Sequence, residues 1–192
     1  LPLFLTQFLG AFNDNIFKNA LVILITYTVV ENATISPQIM ITFAAGLFIL
    51  PFFLFSAVAG QFSDKYDKAN LIRIIKSVEI ALMMGASLGF IFDSTNLLLL
   101  ILFLMGTQSA FFGPVKYGIL PDQLQTNELI AGNALIEAGT FVSILLGTIL
   151  GGLLILTDHG GIFISVLVMS VALAGWFSSL YIPATKPAAP EL

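Results

Sequence analysis

Long apolar stretches separated by short polar breaks form the main pattern along this chain of 192 residues. A hydrocarbon layer of about 30 Å is crossed by roughly 20 helical residues. Stretches of that length cover residues 3–30, 37–61, 70–92, 96–117, 128–156 and 161–182. No alternation of apolar and polar residues runs long enough to indicate a transmembrane barrel. The pattern therefore predicts an all-α integral membrane protein with six transmembrane helices.

Turn-forming residues mark the breaks between the predicted spans. A Ser-Pro pair at 36–37 opens the second span, and turns rich in Asp, Ser and Gly precede the fourth and sixth. Beyond residue 182, repeated prolines prevent the last helix from continuing. We therefore expect one six-helix bundle over residues 1–182 and the start of a linker over 183–192, with more protein following it.

The composition supports a membrane protein and excludes several kinds of site. The chain is 58% hydrophobic and 9% charged, with a mean hydropathy of +1.01, whereas soluble domains carry about 25% charged residues. It has no cysteine and one histidine, His159, in a predicted loop. We therefore expect no disulfide, no metal site and no cofactor. The absence of a basic stripe excludes a nucleic-acid-binding protein.

The basic residues predict the orientation of the bundle. Those on one predicted side are Lys65, Lys68, Arg73, Lys76, Lys116 and Lys186. The loops on the other side contain acidic residues and His159 but no Lys or Arg. Because Lys and Arg favour cytoplasmic loops, we expect both termini to lie in the cytoplasm.

Four polar residues interrupt the apolar character of the first span: Asn13, Asp14, Asn15 and Lys18. Ionisable side chains at membrane depth are costly and usually face a bundle interior or a water-filled cavity. Asp14 and Lys18 are spaced i, i+4, so they can pair on one helix face. The residues thus form either a path for a polar group or a set of contacts that only stiffens the bundle.

Three other spans carry polar residues at a similar depth. With a rise of about 1.5 Å per residue, Asp14 lies about 13 Å from the cytoplasmic side, and Glu79, Gln108 and Glu137 roughly 14 Å from it. These helices place a polar group in one layer near mid-membrane. We interpret Glu79 as pairing with Lys76 at i, i+3 and snorkelling. Glu137 has no basic neighbour on its helix, so it is protonated, bonded to another helix, or part of a site.

Glycines four residues apart mark two of the spans, at 85 and 89 and at 147 and 151. Small residues at this spacing indicate close packing between transmembrane helices.

The second loop, residues 60–71, reads GQFSDKYDKANL. It resembles the loop-2/3 signature of the major facilitator superfamily, with a Gly, an Asp followed by Arg or Lys, a second Gly and basic residues. The matching positions are Gly60, Asp64, Lys65 and Lys68. Asp67 departs, because the signature usually has Gly there. The resemblance implies a gating contact that holds one alternating-access state, since an Asp at a helix end can cap helix termini or pair with basic residues.

Three further motifs are more specific: QFLGAFNDN at 7–15, GPVKYGIL at 113–120 and GNALIEA at 132–138. Together they resemble the bacterial lysophospholipid transporter family, a branch of the same superfamily. The resemblance implies a twelve-helix fold of which this chain is the N-terminal half. It also implies movement of lysophospholipids, such as lysophosphatidylethanolamine, across the inner membrane for reacylation. Some members are fused to an acyltransferase and an acyl-carrier-protein ligase.

The superfamily resemblance also implies which residues contact substrate. Its first and fourth helices line the cavity, which favours Asp14, Lys18 and Gln108, with Asn13 and Asn15 adding hydrogen bonds. Asp14 would meet an ammonium group or a coupling cation, and Lys18 a phosphate. The other candidates from the motifs are Lys116, Asn133 and Glu137. Lys116 either binds a head group or gates, or it snorkels to the surface. An acyl tail needs an apolar lateral route, and the phenylalanines at 52, 53 and 55 either line one or face lipid.

Other functions remain open at this point. They are a facilitator for another small amphipathic substrate, a membrane module serving a fused acyltransferase, and a passive lipid scramblase. No catalytic constellation appears in the chain, so we expect a transporter rather than an enzyme. Its expected partners are lysophospholipid, membrane lipids and a second six-helix half.

Overall fold

The computed structural model describes residues 1–32, 36–189 and 191, without the side chains of residues 28–32. The described part is helical and contains no strand. Its helices are α1 (Pro2–Asn32), α2 (Pro37–Lys65), α3 (Lys68–Ile91), α4 (Thr95–Gly118), α5 (Leu120–Gln123), α6 (Leu129–Ile155) and α7 (Gly160–Leu180). All except the single turn α5 are long and apolar enough to cross a membrane. The predicted all-α fold with six transmembrane helices is confirmed.

Local chemistry sets several helix ends. Pro37 occupies the first turn of α2, where its missing N–H costs nothing. The backbone turns extended at Tyr66, and Asp67 then caps α3 by accepting a hydrogen bond from the Ala69 N–H at 3.0 Å. α2 therefore runs to Lys65, past the expected end at residue 61, and most of the loop-2/3 motif is helical.

The helices pack in a fixed set of neighbours. α1 lies at the centre, against α6 and α7; α2 packs on α4, and α3 packs on both α4 and α7. Ser178 Oγ donates to the Pro2 carbonyl at 3.0 Å, so the end of α7 lies beside the start of α1. The α2–α3 loop lies at this same end, which we call the loop-2/3 end. Residues 190 and 192 of the expected linker lie outside the described residues.

Close approach of α6 to α1 depends on two glycines. A Cβ at Gly147 would lie 2.7 Å from the Phe12 carbonyl oxygen, and one at Gly151 would overlap the Ile16 carbonyl oxygen. Gly85 and Gly89 similarly admit Ile101 and Leu98, residues of α4. The glycine pairs thus mark helix contacts, as their spacing indicates.

Replacing Gly151 by Ala should separate α1 from α6. Overpacking a well-packed contact costs typically about 1–3 kcal/mol, so the thermal unfolding temperature of the purified protein should fall. Gly46→Ala is the matched control, because nothing lies within 4 Å of a Cβ at that position. Equal stability of the two variants would contradict a tight α1–α6 contact.

Candidate functional site

A cavity of about 340 Å³ lies within the bundle. Its walls come from five of the membrane-spanning helices, and most of its polar lining is contributed by Gln7, Asp14, Asn15, Lys76, Glu79, Gln108, Ser109, Lys116, Tyr117 and Thr140. Phe48, Phe52 and Phe112 supply apolar surface. The cavity therefore places carboxylates, ammonium groups and aromatic rings around one space, and we call it the central cavity.

Glu79 is the centre of a buried hydrogen-bond network. It is 2% exposed, and its Oε2 lies 2.6 Å from the Nζ of Lys76, which is 1% exposed. Asn13 Nδ2 donates to Glu79 Oε1 at 3.1 Å, and Gln108 Nε2 approaches Oε2 at 3.5 Å. One carboxylate thus connects α1, α3 and α4.

This burial corrects our interpretation that Glu79 and Lys76 pair and snorkel. The pair forms, but neither side chain reaches the surface. The reason is that α3 packs on α7 and that Gly10 and Gly175 leave room for the Lys76 side chain: a Cβ at Gly10 would lie 2.5 Å from Nζ. Snorkelling needs an open path along the helix surface, and here the ammonium group points into the bundle.

Asp14 and Lys18 occupy different surroundings. Asp14 is half-buried, lines the central cavity and accepts a hydrogen bond from Ser109 Oγ at 2.9 Å. Lys18 Nζ lies 4.4 Å from the centre of the Phe48 ring, in a separate pocket between α1, α2 and α4. Within the described residues the two make no ion pair. The spacing that allows them to pair therefore does not bring them into direct contact.

The two asparagines beside Asp14 have different roles. Asn13 is fully buried and joins the Glu79 network, while its Oδ1 has no hydrogen-bond partner. Asn15 donates to the Ala11 carbonyl at 2.7 Å and packs beside Gly147 of α6, and it also lines the cavity. Asn13 thus makes a contact between helices, and Asn15 lies at the wall of the cavity.

Lys116, Tyr117 and Glu137 form a cluster between α4 and α6. The Tyr117 hydroxyl donates to Glu137 Oε1, and Lys116 Nζ lies 4.6 Å from the centre of the Tyr117 ring. Of the alternatives for Glu137, a bond to another helix is present. Lys116 and Tyr117 line the cavity. Asn133 is exposed on α6, donates to the Leu129 carbonyl at 2.9 Å and is not among the cavity residues.

Several cavity residues were not candidates from the sequence. Gln7 bonds through its amide to Thr140 of α6, and Ser109 bonds to Asp14. Lys76 and Glu79 lie on α3, outside the first and fourth helices that the resemblance places around the cavity. Gln7 belongs to the motif at 7–15, and Ser109 directly follows Gln108. These two positions in the sequence are the signals that could have indicated Gln7 and Ser109 as cavity residues.

Residues of the loop-2/3 motif contact α5 and the segment that follows α7. Lys68 is 4% exposed and its Nζ lies 3.0 Å from Asp122 Oδ2 of α5. Asp64 is exposed, and its backbone carbonyl accepts from the Ala189 N–H at 2.9 Å. Lys65 Nζ lies 6.0 Å from the centre of the Tyr66 ring, and nothing lies within 4 Å of a Cβ at Gly60. Of the charged motif residues, Asp64 is thus exposed, Lys65 is half-buried and Lys68 is buried.

Asp67, which stands where the signature usually has Gly, binds the segment that follows α7 through hydrogen bonds. Its Oδ1 accepts from the N–H and the hydroxyl of Thr185, each at 2.9 Å, as well as from Ala69. We call this contact the Asp67–Thr185 clasp. Partial burial alone would raise the pKa of Asp67, but these hydrogen bonds, with the nearby Arg73 charge, outweigh it and lower that pKa below its ordinary value.

Lys76→Met should test the buried pair. Removing one partner of a buried ion pair typically costs about 3–5 kcal/mol, because the other charge stays uncompensated. We expect a large fall in the unfolding midpoint, and a smaller fall in Lys76→Met/Glu79→Gln, which keeps an acceptor for Asn13. If the destabilisation by Lys76→Met and that by Glu79→Gln simply add in the double variant, the two side chains are not coupled.

The clasp should loosen in acid. The folded-state pKa of Asp67 lies below its unfolded value, so the clasp contributes stability above the ordinary carboxyl range and loses it as pH falls through the folded-state pKa. The chain has no cysteine, so a spin label on Ala188→Cys should gain mobility in that window. Adding Asp67→Ala should make the label mobile at neutral pH, whereas Asp64→Ala, which keeps its backbone carbonyl, should not. An immobile label in Asp67→Ala would rule out the clasp.

Comparison with known proteins identifies the family of the chain. The sequence matches the Major Facilitator Superfamily over residues 3–192. It is 30% identical over 154 residues to the lysophospholipid transporter LplT of Escherichia coli (strain SE11), covering 77% of this chain and 34% of that protein. It is 29% identical over 157 residues to LplT of Salmonella schwarzengrund (strain CVM19633), covering 80% and 36%. The chain spans about a third of the length of these relatives.

The sequence match, the loop-2/3 motif and the six apolar helices are consistent with one another. The named relatives are transporters rather than enzymes. The chain is a multi-pass membrane protein, and it belongs to the Major Facilitator Superfamily.

Proposed function

We propose that the chain is the N-terminal half of a secondary transporter that moves lysophospholipids across the bacterial inner membrane. Transport would proceed by alternating access. It would deliver the lysophospholipid to the cytoplasmic leaflet, where reacylation follows. The observation that carries the proposal is the central cavity, in which Asp14 and Lys116 bring opposite charges to one space inside an apolar bundle. Similarity to LplT supports this substrate class.

The charges match a zwitterionic head group. Asp14 has one hydroxyl donor, Ser109, so its carboxylate retains acceptor capacity for an ammonium group. Lys116 contacts an aromatic ring and makes no ion pair within the described residues, which leaves its donors available for a phosphate. Because Lys18 lies in a separate pocket, we assign the phosphate to Lys116 rather than to Lys18.

Gln108 and Glu79 would hold the site in shape. Gln108 lines the cavity and approaches Glu79, so its amide is oriented by the buried pair. We assign Asn13 to the same supporting role, since its side chain is fully buried. Asn15 and Glu137 would position the wall formed by α6.

The rest of the transport path would come from a second six-helix half. α2 and α6 have the smallest share of buried residues among the spanning helices. We propose that these faces meet the second half and that exposed Asp64 supplies the gating contact. Asp67 and Lys68 are already engaged within this half. A fused or associated acyltransferase would receive the transported lipid.

Uptake of labelled lysophosphatidylethanolamine by proteoliposomes containing the full-length protein tests the substrate. Hydrogen bonds to charged groups are worth about 1.5–3 kcal/mol, so Asp14→Asn and Lys116→Gln should each weaken apparent affinity by roughly 10-fold to 150-fold. Asp158→Asn is the control, because Asp158 is exposed in a loop outside the cavity.

The outcomes separate the competing functions. Uptake that is lost in both cavity variants, while their unfolding temperatures match the wild type, supports the proposal. Equal rates in both directions without any ion gradient would indicate a scramblase. No uptake by folded wild-type protein would favour another amphipathic substrate or a module that serves an acyltransferase.

A further inference from the structure

A second concave surface lies on the outside of the bundle, between α2, α3 and α4. It encloses about 470 Å³ and is almost wholly apolar. We call it the lateral crevice, and its principal lining residues are Phe62, Tyr66, Ile74, Val78, Leu104 and Phe111. α2 and α3 pack sparsely on each other, so the crevice opens sideways between them.

The crevice extends from the loop-2/3 end to slightly beyond the middle of the membrane. Counted from Lys68 at about 1.5 Å per residue, Ile74 and Val78 lie roughly 9 and 15 Å from the loop-2/3 end. Leu104 lies roughly 21 Å from Gly118 at that end. Since the hydrocarbon core is about 30 Å thick, the crevice begins in the leaflet on the loop-2/3 side and reaches slightly past the midplane.

The lining needs no polar ligand. The Thr107 hydroxyl donates to the Phe103 carbonyl at 3.0 Å, and the Gln108 amide is directed to Glu79. Ile74 is 59% exposed and Val78 is 44% exposed. Exposed side chains at this depth contact hydrocarbon, and a concave surface favours one ordered chain over a mobile one because more atoms come into contact.

Beside the crevice lies Lys65, a cation that makes no ion pair within the part of the chain that the structure describes. Lys65 stands next to Tyr66, and its Nζ contacts that ring at 6.0 Å from the centre. The neighbouring basic residues are occupied: Lys68 pairs with Asp122, and Arg73 donates to the Ile182 carbonyl at 3.0 Å. Lys65 is therefore placed to attract a phosphate at the membrane surface.

We propose that the lateral crevice binds one acyl chain of a resident phospholipid from the leaflet on the loop-2/3 side, with its phosphate at Lys65. Gln108 is the one residue that lines both the crevice and the central cavity among the described residues, and its amide is directed to Glu79. The proposal does not depend on the identity of the transported substrate. A chain in the crevice would fill the gap between α2 and α3 and support the helix end that carries the motif.

Photo-crosslinking in lipid bilayers tests this site. The full-length protein is placed in nanodiscs containing phosphatidylglycerol with a diazirine in its acyl chain, and labelled peptides are identified by mass spectrometry. We expect labelling of α3 and α4 around Val78 and Leu104. Val78→Trp/Leu104→Trp fills the crevice and should reduce that labelling at least fivefold. Val166→Trp is the control, because Val166 is 62% exposed on α7, away from the crevice.

Lys65→Gln provides a test that does not alter the core. A Lys at the surface contributes about fivefold to binding of an anionic lipid, equivalent to about 1 kcal/mol. The variant should therefore reduce labelling by phosphatidylglycerol about fivefold but leave labelling by diacylglycerol with the same diazirine chain unchanged. An equal effect on both probes would overturn the role of Lys65.

Two further results would overturn the proposal. Crosslinks from the crevice to another segment of the protein would mean that protein, not lipid, covers it. Displacement of the label by excess lysophosphatidylethanolamine would mean that the crevice belongs to the transport route. Persistence of the label under that excess is the expected result, whether or not the protein transports lysolipid.

Discussion

The arrangement of this bundle depends on one buried carboxylate. Glu79 is held by the ammonium group of Lys76 and by the amide of Asn13, with Gln108 nearby. These side chains are buried and surrounded by the apolar bundle, so their hydrogen bonds hold each helix that supplies a donor in rotation relative to α3. That constraint orients α1 and α4, and with them the cavity residues Asp14 and Ser109.

The glycine contacts also help to fix the arrangement of the helices. Gly147 and Gly151 let α6 approach the backbone of α1, which brings Thr140 to Gln7 and completes the wall opposite α4. Polar bonds and small residues thus have complementary effects: the bonds set helix rotation, and the glycines set helix separation. Both lie within one half of a superfamily fold, so the half presents a formed cavity wall.

The sequence predicts those features that depend on nearby residues. Hydropathy and helix length depend only on neighbouring residues, so the six spans can be predicted from them. The depth of Asp14 and Gln108 in the membrane follows from their positions along their own helices. The burial of Lys76 and Glu79 depends on how α1 and α7 cover α3, which no local pattern contains. The contact of Lys18 with Phe48 of α2 depends on helix packing in the same way, so the spacing of Asp14 and Lys18 does not indicate it. The contact between Asp67 and Thr185 joins residues 118 positions apart, so the carboxylate at a usual Gly position gave no indication of its partner.

The Asp67–Thr185 clasp has a consequence for chain geometry. α7 ends at Leu180, yet the following residues run along the bundle as far as Ala189, which bonds to Asp64. Any polypeptide that continues from there sets out from the α2–α3 loop, not from the end of α7. The reach of a flexible tether depends on the number of residues left free, and here the tether's origin is displaced to the helix end that carries Asp64. A rotation of α2 would therefore move the attachment point of whatever the chain leads to.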